Sequence, residues 1–113
     1  MKILAGTITL AAAIGITTPG YAAWVIVCPE DIQGIAVRGD RTGLVTKTDK
    51  TGCGGGREIQ ILRTDTRHDR AFTLFTTAQT TDQELFIAVD SCVAGNGIAG
   101  QVNMYKRGMN CRQ

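Results

Sequence analysis

The sequence predicts a small, mainly β domain, a five-stranded and partly open barrel with one helix between its third and fourth strands. Three observations lead there. Short β-branched or alternating runs recur at residues 32–37, 42–48, 58–62, 84–89 and 98–105. A single amphipathic stretch, residues 67–79, falls between the third and fourth of them. Four cysteines, Cys28, Cys53, Cys92 and Cys111, are spread over a chain short enough to need staples. Strands and helix in this order describe an OB-like barrel, which closes most sheet edges in a domain of this size.

The first 22 residues read as an export signal rather than as part of the fold. Lys2 supplies the positive start, residues 3–16 an apolar stretch, and Pro19-Gly20-Tyr21-Ala22 a small-residue cleavage region. The apolar stretch falls short of the roughly 20 residues a membrane-spanning helix requires. A single domain, residues 23–113, is then expected in a secreted or periplasmic compartment, without a membrane span. Losing residues 1–22 removes Lys2 and leaves 91 residues with 11 basic and 10 acidic side chains. That near-balance argues against a nucleic-acid partner, which would reward a concentrated basic patch. An even number of cysteines in an exported domain this small predicts two disulfides. Local loop closure favours Cys28–Cys53 with Cys92–Cys111, although four cysteines allow three pairings.

Each element has its own warrant. Residues 23–28 (AWVIVC) form a β-prone run, either a first strand or an arm over the core, with Trp24 as a lid or an exposed contact. Residues 32–37 and 42–48 flank Arg38-Gly39-Asp40-Arg41 and read as a hairpin. Its Arg-Gly-Asp triplet is explained by a turn using glycine's backbone freedom. The stretch 49–56 (DKTGCGGG) lacks the lysine and hydroxyl residue of a phosphate-binding loop, so it reads as structural. In residues 58–62, Ile59 and Ile61 share one face. Thr66 is the expected helix cap, with Asp69 completing a short capping box, and Ala71, Leu74, Phe75 and Ala78 form the apolar helix face. Residues 84–89 (ELFIAV) suggest the most central strand. Ala94-Gly95-Asn96-Gly97 is a turn suited to positive φ, and Ile98, Gly100, Val102 and Met104 line one side of the last strand.

Candidate chemistry is sparse. His68 is the sole imidazole, and its neighbour Asp69 on a helix points about 100° away, so a polar surface histidine is expected. Of the carboxylates Asp65, Asp69, Asp82, Glu84 and Asp90, most fall at element ends or caps, where solvation is expected and no hydrolytic pair is marked. With no CxxC motif, a metal site is not expected, nor is any cofactor. Arg57, Arg63, Arg67 and Arg70 cluster in sequence and form the candidate binding surface, either for an acidic partner or an anionic glycan or as a solvated face.

The segment Arg70-Ala-Phe-Thr-Leu-Phe-Thr-Thr-Ala-Gln79, followed by Glu84-Leu-Phe-Ile-Ala-Val89, resembles the helix-then-strand layout of receptor-binding subunits of bacterial AB-type toxins, the subtilase-cytotoxin and pertussis-like group. The resemblance spans residues 58–105. It implies an OB-like domain, a pentameric homo-oligomer and binding to host-surface glycans, with no contact residue transferable to this chain. The expected function is therefore a secreted, non-enzymatic glycan- or receptor-binding module. A periplasmic structural or inhibitory domain for a protein partner is the alternative, and a small hydrolase the third. The two-disulfide expectation predicts that thiol titration of the unfolded, unreduced exported protein finds no free thiol; four reactive thiols would refute it.

Overall fold

The computed structural model describes residues 23–112, so the expected leader and its cleavage point lie outside the described residues. The chain forms β1 (Ala23–Val27), a short 3-10 turn (Pro29–Asp31), β2 (Ile32–Val37), β3 (Arg41–Thr46), β4 (Glu58–Leu62), α1 (His68–Thr80), β5 (Gln83–Val93) and β6 (Asn96–Lys106). All six strands join one sheet in the order β1-β5-β6-β4-β3-β2. Only the β4–β6 pair is parallel.

This sheet is open, and the OB-like barrel expected from the strand count is not formed. Closure needs the terminal strands of the sheet to meet, but β1 and β2 stand at opposite edges. The run 23–28 is the cause. It pairs along its whole length with β5, from Ala23↔Val89 to Val27↔Leu85, and becomes a sixth strand. β6 meanwhile docks beside β4 through Ile59↔Gly97 and Gln60↔Ile98. Strand β5 is therefore second from an edge, and the centre of the sheet belongs to β6 and β4.

Alternation along the strands selects the face that α1 covers. Leu44, Ile59, Ile61, Leu85, Ile87 and Val89 are buried on that face, beneath Ala71, Phe75 and Ala78 of the helix. Phe75 is completely buried. In a barrel the helix would plug one end, but here it lies across the face of the open sheet and contacts β2 through β6. The expected single side of the last strand is interrupted as well. Register shifts between Ala88, Val89 and Ser91 place Val102 opposite Ile87 and Met104 opposite Leu85, whereas Ile98 pairs with Ser91. Gly100 sits at this irregularity because the Asp90 carboxylate occupies the space a Cβ would need.

Local chemistry departs from expectation at the helix start. Thr66 makes no cap; Arg67 holds that position without a side-chain cap bond. Instead the Asp65 carboxylate accepts the Arg67 backbone N–H at 2.8 Å, and the Asp65 carbonyl accepts that of His68. Between β5 and β6 the chain reverses through Ala94 (φ 52°) and Gly95 (φ 83°), the positive pair that a two-residue hairpin requires. By contrast, Gly39 in the β2–β3 turn is not among the positive-φ glycines. The turn is closed by the Arg38 N–H donating to the Arg41 carbonyl at 2.8 Å, so glycine's freedom is not what makes it.

Both disulfides form, in a pairing that local loop closure does not anticipate: Cys28–Cys111 and Cys53–Cys92, 83 and 39 residues apart. The sheet decides. Docking β6 on β4 sets the β5–β6 turn against the glycine-rich loop, where the Gly56 N–H donates to the Gly95 carbonyl at 2.9 Å, and Cys53 meets Cys92. Loops this long give cross-links their larger entropic effect, about 3–5 kcal/mol each in a chain-entropy account.

Cys111 is brought to Cys28 by a buried carboxylate. Glu84 lies on the helix-free face of β5, not at a solvated strand end, and is completely buried beneath the C-terminal tail. Its oxygens accept the Gly108 N–H (3.1 Å), the Cys111 N–H (3.0 Å) and the Asn110 side-chain amide (2.9 Å). Burial pushes the carboxyl's pKa up, but these donors together outweigh it and hold it below its ordinary 4.5. Arg107 adds an outer brace, bonding Asp82 at 2.8 Å and pairing with Glu30.

Replacing Glu84 strands buried N–H donors, so Glu84→Ala is expected to lower unfolding free energy by about 3 kcal/mol. A folded pKa below the unfolded one means this stabilisation is complete above pH 4.5 and lost as pH falls through the folded value. Urea unfolding of wild type and Glu84→Gln should accordingly differ at pH 7, and the difference should shrink as pH falls below 4.5. A pH-independent difference would contradict the clasp.

Candidate functional site

Three regions carry polar or aromatic groups of functional interest, and only two of the four sequence-clustered arginines meet in one of them. Arg57 reaches back toward the Lys47 carbonyl (3.5 Å), at the end of β4 where the glycine-rich loop enters. Arg63, beyond the other end of that strand, donates its Nε to the Arg38 carbonyl at 2.8 Å. Arg67 and Arg70 do come together, at the mouth of a cleft of about 200 Å³ whose apolar wall includes Ile61, Ala71, Leu74 and Val102. Adjacency in sequence scatters this cluster, because β4 and the turn before α1 carry successive arginines in different directions.

One of the two cleft guanidinium groups is paired internally. Arg67 forms a two-point pair with Asp65, Nε–Oδ1 and Nη2–Oδ2 both 3.0 Å, which holds the Asp65 carboxyl below its ordinary range. Asp90 also acts on the Arg67 guanidinium. Asp65 and Asp90 thus offset the Arg67 charge beside the cleft.

The second region surrounds His68, which is buried and not on the surface as its sequence context suggests. Its Nδ1 lies 3.0 Å from the Asp69 carboxylate and its Nε2 2.8 Å from the Thr42 hydroxyl. Since an ionised carboxylate only accepts, Nδ1 is the donor to Asp69. A rotated side chain achieves what the 100° separation of neighbouring helix positions argues against. The hydroxyl–imidazole–carboxylate order has the outline of a nucleophile relay. However, Thr42 is 1 % exposed on β3, under the helix, so no reacting carbonyl can approach it. The relay ties the start of α1 to the sheet.

The glycine-rich loop is likewise occupied from within. One Asp49 carboxylate oxygen accepts the N–H groups of Thr51 and Gly52 (each 3.0 Å), and the other accepts that of Gly55 (2.9 Å). These donors, led by Gly55, hold the Asp49 carboxyl below its ordinary range. An external anion would have to displace this internal one. The Arg38-Gly39-Asp40 triplet is similarly engaged: Arg38 pairs with Glu58, and Asp40 bonds Arg41 at 2.7 Å.

The third region is the sheet face that α1 leaves uncovered. Trp24 of β1 stacks on Phe86 of β5, with ring centroids 4.5 Å apart and planes 12° from parallel. Phe86 in turn meets Tyr105 of β6 at 6.3 Å. The three rings cross three adjacent strands as a strip, in which Trp24 is 49 % and Tyr105 39 % exposed. Beside it, cross-strand pairing sets Gln101 opposite Ala88 and Asn103 opposite Phe86. The two amides are within 3.4 Å of each other. Sequence reasoning left Trp24 open as an exposed contact but missed the strip, because it read residues 84–89 only as a central strand and followed the even-numbered positions of β6. The available signal was the odd-numbered series Gln101, Asn103, Tyr105.

Among the described residues no group of three or more His, Cys, Asp or Glu side chains is placed to hold a metal ion, and no helix is long and apolar enough to cross a membrane. No protein-family model, curated protein or solved structure significantly matches the chain. The resemblance to toxin receptor-binding subunits is overturned by the open six-stranded sheet, and its implied pentamer loses its basis. What stands is a small, disulfide-stabilised mixed α/β domain of a kind consistent with non-enzymatic binding.

A double-mutant cycle on Trp24→Leu and Phe86→Leu should give a coupling of about 0.5–1.5 kcal/mol in urea unfolding. Zero coupling would mean that the rings do not stack in solution.

Proposed function

We propose that the protein is an exported, non-enzymatic binding module that recognises a glycan through the helix-free face of its sheet. The exposed Trp24–Phe86–Tyr105 strip carries this reading. Aromatic faces are electron-rich and attract the polarised C–H groups on the apolar side of a sugar ring. Amide side chains both donate and accept, which suits neighbouring hydroxyls, and Gln101 and Asn103 stand beside the rings. A few placed polar groups against an apolar platform give orientation and selectivity together. Strands hold the platform, and the disulfide at Cys28 anchors the end of the one bearing Trp24.

Export is supported by the leader-like pattern of residues 1–22 and by two disulfides, which persist in oxidising compartments. A non-enzymatic role is supported by the sealed Thr42 hydroxyl and by the engagement of Glu84 and Asp49 with their own loops.

A glycan array probed with the oxidised protein is expected to retain a defined set of saccharides. Trp24→Ala should weaken the strongest hit at least tenfold, about 1.4 kcal/mol, and Asn103→Ala should change which saccharides are kept. Binding that survives Trp24→Ala and is lost on Arg70→Ala would move the site to the cleft and overturn the reading.

A further inference from the structure

The two edges of the sheet differ in how they are protected. Edge strands expose unpaired backbone groups, and natural proteins blunt them with bulges, charges, proline or a covering element. Strand β2 is interrupted by a register shift between Ile32 and Gly34 and bounded by Asp31 and Arg38. Strand β1 has no such device. It reads AWVIV, carries no charge, proline or glycine, and holds an unbroken register with β5. Among the described residues no loop backbone hydrogen-bonds to it.

We propose that the free edge of β1 pairs with β1 of a second copy of this chain, antiparallel about a two-fold axis at Val25. That register sets Ala23 opposite Val27, Trp24 opposite Ile26, and Val25 opposite itself. Each pair joins side chains of the same sheet face, since residues 24 and 26 lie on the helix-free face and 23, 25 and 27 on the other. The match is self-complementary, as a two-fold contact requires. The aromatic side of Trp24 meets the branched side chain of Ile26 in both halves, a favourable cross-strand combination. No charge on either strand opposes the approach. The helix-free faces then run on as one surface, and the strip Tyr105–Phe86–Trp24 continues into its symmetry mate. If the glycan reading holds, two platforms fixed side by side gain avidity for a repeating saccharide; the pairing itself does not depend on that reading.

Light scattering of the oxidised protein, expressed as the full chain with its own leader and measured without any saccharide, is expected to show the mass rising toward twice the monomer with concentration in the micromolar range. Like charges directly opposed across the axis are repulsive. Val25→Lys and Val25→Glu should each weaken self-association at least tenfold, and mixing the two variants should restore a dimer. A wild-type monomer throughout the micromolar range overturns the proposal, as does a wild-type dimer that both folded single variants leave unchanged. Should either variant fail to fold, hydrogen exchange of wild type decides: β1 amides gain protection with concentration if the edge pairs, and unchanged protection overturns the pairing.

Discussion

A sheet has two faces, and this chain supplies one helix. The asymmetry of the molecule follows from that constraint. Helix α1 can seal only one side, and the sequence fits this by placing Leu85, Ile87 and Val89 beneath Phe75 while the intervening Phe86 and Ala88 face away. The other side is covered at one end by the C-terminal tail and is open where Trp24, Phe86 and Tyr105 lie. Burying apolar area is the main favourable term in folding, so a strip of rings left half in water is a feature that sequence economy alone does not explain.

Carboxylates organise the parts of the fold that strands and helix do not. Glu84 gathers the tail so that Cys111 reaches Cys28, and Asp49 gathers the glycine-rich loop that carries Cys53. Each loop is thus shaped by a negative centre ringed by N–H donors and then locked by a disulfide. This division of labour suits a chain too short for a large core. It also accounts for the acidic groups most suggestive of chemistry. They satisfy backbone donors, and the His68 pair with Asp69 and Thr42 fixes a helix start.

Much of the secondary structure was legible because it rests on local pattern. The strand at Ile59 and Ile61, the helix face of Ala71, Phe75 and Ala78, and the reversal at Ala94-Gly95 follow from period and turn chemistry, and the strand runs flanking residues 38–41 announce a hairpin although not its turn geometry. Topology was not legible. Whether residues 23–27 lie as an arm or pair with β5 is a contact between segments about 60 positions apart, which no local pattern encodes; that pairing turns a barrel into an open sheet. The disulfides failed for the same reason, since loop length favours near partners while the parallel β4–β6 contact delivers distant ones. The arginine cluster shows the limit from the other side. Four basic residues close in sequence end in three places, and only Arg67 and Arg70 share a cleft.

The account's central claim is that the helix-free face is the working surface of the molecule. Amide chemical-shift mapping with the strongest saccharide ligand tests it most directly, because it reads every strand at once without altering the protein. Perturbations centred on Trp24, Phe86, Ala88, Asn103 and Tyr105 are the predicted result. Perturbations centred on Arg67, Arg70 and Leu74, with the aromatic strip unmoved, would contradict it.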